Sequence, residues 1–170
     1  MGVNKYLATV NPAVKARTLA ALIEFNTANK DRELSWFGQE TFLKAEKLGP
    51  LTSPAYRKAR RACVTLTRTQ GIDAIMTKHK LDAFVALTNG PSWATDLVNG
   101  DRFTGGSSSI PAVSGYPNIT VPMGFVYGLP IGLSFFGRAW SEPVLIKLAY
   151  AFEQTTKARK PPKFLPTAAL

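Results

Sequence analysis

Two short apolar runs, at residues 119–126 and 131–136, constrain the fold of this chain most strongly. Both runs are rich in β-forming residues, and Tyr127-Gly128-Leu129-Pro130 separates them, so the pattern predicts two strands joined by a tight turn. The runs are almost continuously apolar rather than alternating. We therefore expect both faces of these strands to be covered, as in the interior of an α/β sheet.

The remaining apolar patterns predict helices and one further strand. A helical stripe of Leu145, Leu148, Ala149 and Phe152 follows the second run, within a helix predicted over 143–157. Capping residues and apolar spacing also predict helices over 12–26, 39–48, 54–70 and 72–78. A buried strand is expected within 81–88. The irregular tail carries Pro161, Pro162 and Pro166.

The composition predicts one globular domain. Apolar residues make up 45% of the 170 residues, which is enough for a single core. We find no internal repeat and no shift in composition that would mark a domain boundary. No apolar run has the length of a membrane span, and the first residues lack the apolar segment of a signal peptide. We therefore expect a cytoplasmic chain without membrane contact.

The chain is strongly basic, with a net charge of +10 from 21 Lys and Arg against 11 Asp and Glu. Such a charge can indicate an anionic partner. The basic residues are scattered, however, in groups at 57–61, 78–80 and 157–163, and no aromatic residues are interleaved with them as in RNA-binding motifs. We therefore expect a solvated basic surface rather than a nucleic-acid site.

One cysteine and one histidine limit the available chemistry. Cys63 has a helical spacing from Ala59 and Leu66, so we expect it to be buried in a packing role. His79 lies between two lysines at a predicted helix end, where a cation is favourable, and we expect it at the surface. These residues cannot form a metal cluster of N and S ligands, and no phosphate-binding glycine motif occurs. We therefore predict no metal and no cofactor.

Several short motifs resemble the C-terminal part of the amidase signature family. They are GYPNITVPMG at 115–124, GLPIG at 128–132, FGR at 136–138 and AYAFEQ at 149–154. Earlier segments, including WFGQE at 36–40 and GIDA at 71–74, resemble the family in the same order. The resemblance implies the C-terminal part of an α/β/α fold, with a mixed sheet covered by helices. Residues 1–170 would form a single partial amidase domain.

The resemblance also implies that the catalytic half is absent. Members of the family hydrolyse carboxamide C–N bonds with a serine nucleophile, a second serine and a lysine base, all in the N-terminal half. The stretch 105–109, Gly-Gly-Ser-Ser-Ser, instead precedes Ile110-Pro111 and resembles a C-terminal loop of the family. We expect loop and helix-capping roles there and assign no catalytic residue to this chain.

The long aperiodic segment 89–109 is the candidate site. It follows the C-terminal end of a predicted strand, where open α/β sheets place ligands. The resemblance implies that this segment lines the substrate cleft. The alternative is that its Asn and Asp residues shape turns and that its Trp plugs the end of the sheet. The candidate cleft residues are Asn89, Trp93, Asp96, Asn99, Asp101, Phe103 and Ser107.

Three functional hypotheses remain open. In the first, the chain supplies sheet strands and one cleft wall of an amidase, is inactive alone, and acts on small-molecule or peptide amides when joined to an N-terminal catalytic half. In the second, it is a non-catalytic module that binds a partner protein. In the third, it is a basic accessory of the tRNA amidotransferase kind. In the first case the uncovered strand faces and unpaired sheet edges predict exposed apolar surface and possible self-association.

Overall fold

The computed structural model describes residues 2–164, which belong to two compact units, Met1–Arg60 and Arg61–Leu170. The first unit contains helices α1 (Gly2–Leu7), α2 (Leu19–Ala28), α3 (Lys30–Glu33) and α4 (Glu40–Glu46). Helix α5 (Pro54–Thr67) includes the boundary between the units. The second unit contains α6 (Asp73–His79), β1 (Phe84–Leu87), α7 (Ser109–Ser114), β2 (Asn118–Val126), β3 (Leu129–Phe136) and α8 (Glu142–Thr156).

Helix α2 begins later than residue 12, the predicted start. The side chain of Asn11 accepts a hydrogen bond from the backbone N–H of Ala13 at 2.9 Å, which forms a turn rather than a helix cap. The Arg17 guanidinium donates to backbone carbonyls of this turn, which fixes it in place. Thr18 is the residue that caps α2. The predicted start was wrong because asparagine can initiate either a helix or a turn.

A π-helical turn, Arg68–Ile72, joins α5 to α6. Gly71 has φ −105° and ψ −105°, outside the helical region, and a Cβ atom there would lie 2.5 Å from the carbonyl oxygen of Leu66. Only glycine fits this kink without displacing the backbone. The kink ends α5 before residue 70, the predicted end, and α6 corresponds to the helix predicted over 72–78.

Cys63 is exposed, so the prediction of a buried cysteine was wrong. Helix α5 has no buried residue, and Tyr56 and Leu66 on its apolar stripe are 41% and 62% exposed. Helical spacing identifies which face of a helix is apolar. Helical spacing does not establish that other residues of the chain cover that face.

The three strands form an antiparallel sheet in the order β1-β3-β2. Tyr127 and Gly128, with φ of 50° and 78°, form the two-residue turn between β2 and β3. Both residues have the positive φ that a type I′ hairpin turn requires. The register shifts between Pro122 and Gly124, so β2 carries a bulge. Helices around a sheet confirm the predicted α/β class, but the sheet of the described residues is antiparallel and not mixed as predicted.

Apolar clusters cover both faces of the sheet. On one face, the rings of Phe84 and Phe136 stack at 5.2 Å and pack with Ile72 and Met76. On the other face, Phe135 packs with residues of α8 and of β2. The members of this second cluster from α8 are Leu145, Leu148, Ala149 and Phe152. Helices therefore cover part of each face of the sheet, but the prediction of a buried strand was wrong for β1, where Val85 and Leu87 are 57% and 51% exposed.

The rest of the described chain is irregular. Residues 157–164, after α8, have no regular secondary structure, in line with the prediction for the tail, and Pro166 lies outside the described residues.

Within residues 2–164, no helix combines the length and the apolar character that crossing a bilayer requires.

Candidate functional site

The candidate segment is a loop whose two ends meet beside the sheet. The N–H of Thr88 donates to the carbonyl of Gly132 at 2.8 Å, which continues the pairing of β1 with β3. Ser107 N–H then donates to the carbonyl of Thr88 at 3.2 Å, and Asn89 forms a bridge with Gly106. We call residues 88–90 and 105–107 the neck. The neck makes 88–107 a closed loop anchored at one end of the sheet.

Aromatic residues meet within this loop. The Trp93 Nε1–H donates to Asp101 Oδ1 at 3.0 Å, and the rings of Trp93 and Phe103 contact edge to face with centroids 6.1 Å apart. Trp93 is 37% exposed and Phe103 61% exposed. The hydrogen bond and the ring contact fix the orientation of the indole. The structure thus brings together three of the predicted site residues and leaves apolar surface on two of them.

Asp96 and Asn99 hold a turn of the same loop. Asp96 Oδ1 accepts from the backbone N–H groups of Val98 and Asn99 at 2.9 and 2.8 Å, and Oδ2 accepts from the Asn99 side chain at 2.8 Å. These hydrogen bonds, with that from the Asn99 backbone the largest, lower the pKa of Asp96. The side chains of these two candidates are paired with each other, as the turn-shaping alternative predicts.

A chain of hydroxyl groups lies beside the neck. Thr88 Oγ1 is 2.5 Å from Thr120 Oγ1 and 2.8 Å from Ser134 Oγ. Gly132 lies under this chain, since a Cβ atom there would be 2.8 Å from both threonine hydroxyls. Ser134 is completely buried, whereas Thr120 is exposed. Within residues 2–164, the Oγ of Ser107 in the neck is buried without a hydrogen-bond partner.

Sequence reasoning missed Thr88, Thr120 and Ser134. Each is a polar residue in or beside a run that otherwise reads as apolar strand, and this is the signal that could have singled them out. Thr120 and Ser134 lie 32 and 46 positions after Thr88, so only the strand register brings the three hydroxyls together.

A second polar cluster lies where α6 meets the end of β3. Tyr116 donates its hydroxyl to Asp73 Oδ2 at 2.9 Å, and the Arg68 guanidinium stacks 5.1 Å from the Tyr116 ring centre. Burial, followed by the hydrogen bond and the charge of Asp73, raises the pKa of Tyr116. Arg138 donates to Thr77 Oγ1 at 2.7 Å and thereby links β3 to α6. This cluster connects elements of the fold.

An open groove of about 410 Å³ adjoins Arg138 and contains none of the predicted site residues. Its walls are Met76, Thr77, Lys80, Leu81, Asp82, Arg138, Ser141 and Val144. The groove is therefore separate from the loop at 88–107, which contains the predicted site residues.

The other sequence predictions near the site have mixed outcomes. The helix-capping position predicted within 105–109 is taken by Ser108, the N-cap of α7, whose side chain makes no capping hydrogen bond. Gly105 and Gly106 belong to the neck, which agrees with the predicted loop role. His79 ends α6 and is exposed, as predicted. Among residues 2–164, no three His, Cys, Asp or Glu residues come together as a metal site would require.

The known proteins to which the chain is similar include amidases and an amidotransferase. No family model matches the chain. A probable amidase of Arabidopsis thaliana is 39% identical over 97% of this chain but only 29% of its own length. A glutamyl-tRNA(Gln) amidotransferase chain of Clostridium acetobutylicum is 51% identical over 45 residues, or 26% of this chain and 9% of its own.

Solved structures extend this similarity to the fold. The peptide amidase PAM, in complex with the competitive inhibitor chymostatin, matches with a TM-score of 0.90 and 48% identity over 96% of this chain and 33% of its own. The native peptide amidase of Stenotrophomonas maltophilia matches with a TM-score of 0.86 and 47% identity over 96% of this chain and 32% of its own. The chain thus spans about a third of the length of the Arabidopsis amidase and of the two peptide amidases.

Proposed function

We propose that this chain, which belongs to the amidase signature family and corresponds to the C-terminal portion of an amidase, supplies one wall of the amide-binding cleft and is inactive alone. The observation that carries the proposal is the match of 96% of the chain to only a third of a peptide amidase, at a TM-score of 0.90. We further propose that the two units within 1–170 are parts of one partial amidase domain.

The absence of activity follows from the chemistry of amide cleavage. The reaction needs an activated nucleophile, a base and donors for the developing oxyanion. The serines at 107–109 lie in the neck and at the start of α7, and no hydrogen bond pairs them with a lysine or histidine within residues 2–164. We therefore place nucleophile and base in the remainder of the protein.

The loop at 88–107 is the proposed cleft wall. It is anchored at one end of the sheet by the neck, and Trp93 and Phe103 leave apolar surface exposed on it. Asn89, Asp101 and Ser107 complete the proposed wall. We assign Asp96 and Asn99 to shaping the turn of this wall, because their side chains already bond to each other.

The proposed substrates are linear carboxamides, with peptide amides as the first class to test. Support comes from the peptide amidases to which the fold is similar. An indole held by Asp101 presents a rigid apolar surface, which suits the hydrocarbon part of a peptide amide better than a fully polar substrate.

The test is hydrolysis of N-acetyl-phenylalanine amide by the isolated chain and then by the chain joined to the N-terminal portion of an amidase. We expect turnover only from the joined protein. Trp93→Ala should raise KM in the joined protein, whereas Trp140→Ala, which truncates an 88% exposed Trp outside the loop, should not. Turnover by the isolated chain that disappears on substituting Ser107, Ser108 or Ser109 with Ala would contradict the proposal.

A role as a basic accessory of a tRNA amidotransferase has narrower support. The similarity to the Clostridium amidotransferase covers 26% of the chain, against 97% for the Arabidopsis amidase. Binding of tRNA by the isolated chain, with an affinity that falls steeply with salt, would favour this accessory role. Self-association of the isolated chain and a cytoplasmic location remain predictions.

A further inference from the structure

We propose that the hydroxyl chain Ser134–Thr88–Thr120 directs the O–H of Thr120 toward a carbonyl oxygen of the bound amide. The inference rests on the proposed function, because it assigns a binding residue to the same cleft wall. In this scheme Thr120 contacts the substrate, and Thr88 and Ser134 are positioning residues.

The proton count of the hydroxyl chain leaves one donor over. Three hydroxyl groups carry three protons, but only two hydrogen bonds connect them, at 2.5 Å from Thr88 to Thr120 and at 2.8 Å from Thr88 to Ser134. Each bond uses one proton. The third proton is therefore free at Ser134, at Thr120, or at Thr88 if Thr88 accepts both bonds.

Burial decides which of the three hydroxyls carries the free proton. Ser134 is 0% exposed, and Thr88 is its hydrogen-bond partner within residues 2–164. If Ser134 only accepted from Thr88, its own O–H would be buried without an acceptor, which is costly. Ser134 therefore donates to Thr88. Thr88 is half-buried, and Ser134 and Thr120 are its side-chain partners among residues 2–164, so its own O–H finds an acceptor there only by donating to Thr120. The exposed hydroxyl of Thr120 then keeps the outward donor.

The surroundings favour a neutral acceptor. Ser107 adds a further neutral hydroxyl at the same end of the sheet, since its N–H bonds to the carbonyl of Thr88; its Oγ is buried and has no hydrogen-bond partner among the described residues. In the same part of the chain, the hydrogen-bond partners of the Thr88, Thr120 and Ser134 side chains include no charged group. Neutral hydroxyl donors match a carbonyl oxygen, whereas a carboxylate or phosphate is usually met by charged donors. An amide carbonyl is the acceptor that the proposed substrate supplies.

The experiment measures both binding and turnover of N-acetyl-phenylalanine amide with the joined protein. Thr120→Val removes the donor and keeps the side-chain shape, so we expect Kd and KM to rise about 3- to 10-fold with kcat within about twofold. Thr120→Ser should restore binding to within about twofold. Thr41→Val, an exposed change on α4, is the matched control and should leave both constants unchanged.

The results separate this inference from the proposed function. Turnover with a Kd unaffected by Thr120→Val would overturn the inference and leave the proposed function supported. The same holds if Thr120→Ser binds the amide no more tightly than Thr120→Val. Binding that depends on Thr120 without any turnover would support the inference and contradict the proposed function. A joined protein that neither binds nor hydrolyses the amide would contradict both.

Discussion

The same face of the sheet is built from different chemistry at its two ends. At one end, Phe84 is paired in register with Phe136, and their stacked rings pack against Ile72 and Met76. Four residues further along, Thr88 meets other hydroxyl groups over a glycine. The apolar end contributes to folding through buried area. The hydroxyl end contributes less to folding and presents an outward donor, as a binding surface does.

Truncation of the apolar end should have the largest effect on stability. Phe136→Ala removes a ring that is 7% exposed and stacked on Phe84. We expect the free energy of unfolding to fall by about 3–5 kcal/mol, because the substitution loses buried area and leaves a cavity. Urea unfolding at a fixed protein concentration is the measurement. Phe164→Ala, at a residue that is 90% exposed, is the control, and an equal effect there would contradict the assignment of the core.

A smaller loss is expected at the hydroxyl end. Thr88→Val leaves the buried Ser134 hydroxyl without its acceptor, and such an unpaired group costs about 1–3 kcal/mol. The double variant Thr88→Val with Ser134→Ala should recover part of that loss, because it removes the orphaned donor as well. Urea unfolding of the single and double variants tests this. Additive losses in the double variant would show that the two hydroxyls are not coupled.

The Tyr116 cluster predicts a dependence on alkaline pH. The pKa of Tyr116 is raised above its ordinary value of 10.0, so the folded state favours the neutral phenol. Its contribution to stability is therefore complete below about pH 10 and is lost as the pH rises through the folded pKa. Tyr116→Phe should flatten the fall in melting temperature between about pH 9 and 11. Tyr127→Phe, which removes an 83% exposed hydroxyl, is the control, and a slope unchanged by Tyr116→Phe would contradict the prediction.

The smallest effect is expected at the single histidine. His79 is exposed at the end of α6. We expect His79→Ala to change the free energy of unfolding by no more than about 0.5 kcal/mol, the usual range for surface substitutions. A loss above about 2 kcal/mol in urea unfolding would indicate a buried, hydrogen-bonded role.

Local chemistry made part of this fold predictable. The hairpin followed from two apolar runs around Tyr127-Gly128, and the turn residues have the positive φ that such turns require. Helix α8 followed from its apolar stripe, of which Leu145 and Ala149 are buried. In both cases the residues that determine the element are neighbours in sequence, so the local sequence pattern is sufficient to predict it.

The features that escaped prediction depend on distant partners. Cys63 lies on a regular apolar stripe, yet it is exposed. The periodicity of the sequence predicts an apolar helix face but does not show which residues cover that face. The loop was identified as the candidate site, but the contact of Trp93 with Asp101 and Phe103 depends on its closed conformation. The hydroxyl chain depends on a β register that joins Thr88 to residues 32 and 46 positions away. Such juxtapositions follow from topology rather than from local composition.

Several large apolar residues of the second unit are exposed. On the edge strand β1, Val85 and Leu87 are 57% and 51% exposed, and on α8, Ile146 and Tyr150 are 56% and 63% exposed. Edge strands and exposed apolar patches promote association with other chains. If the remainder of an amidase covers these surfaces, the isolated chain should associate with itself through them.

We propose that this chain is a structural portion of an amidase that needs the rest of the protein. Light scattering and binding of an apolar fluorescent dye, both at low concentration, test this dependence. We predict that the isolated chain self-associates and binds the dye, and that joining it to the N-terminal portion of an amidase abolishes both. A monodisperse, cooperatively melting monomer of the isolated chain that binds no dye would contradict the claim.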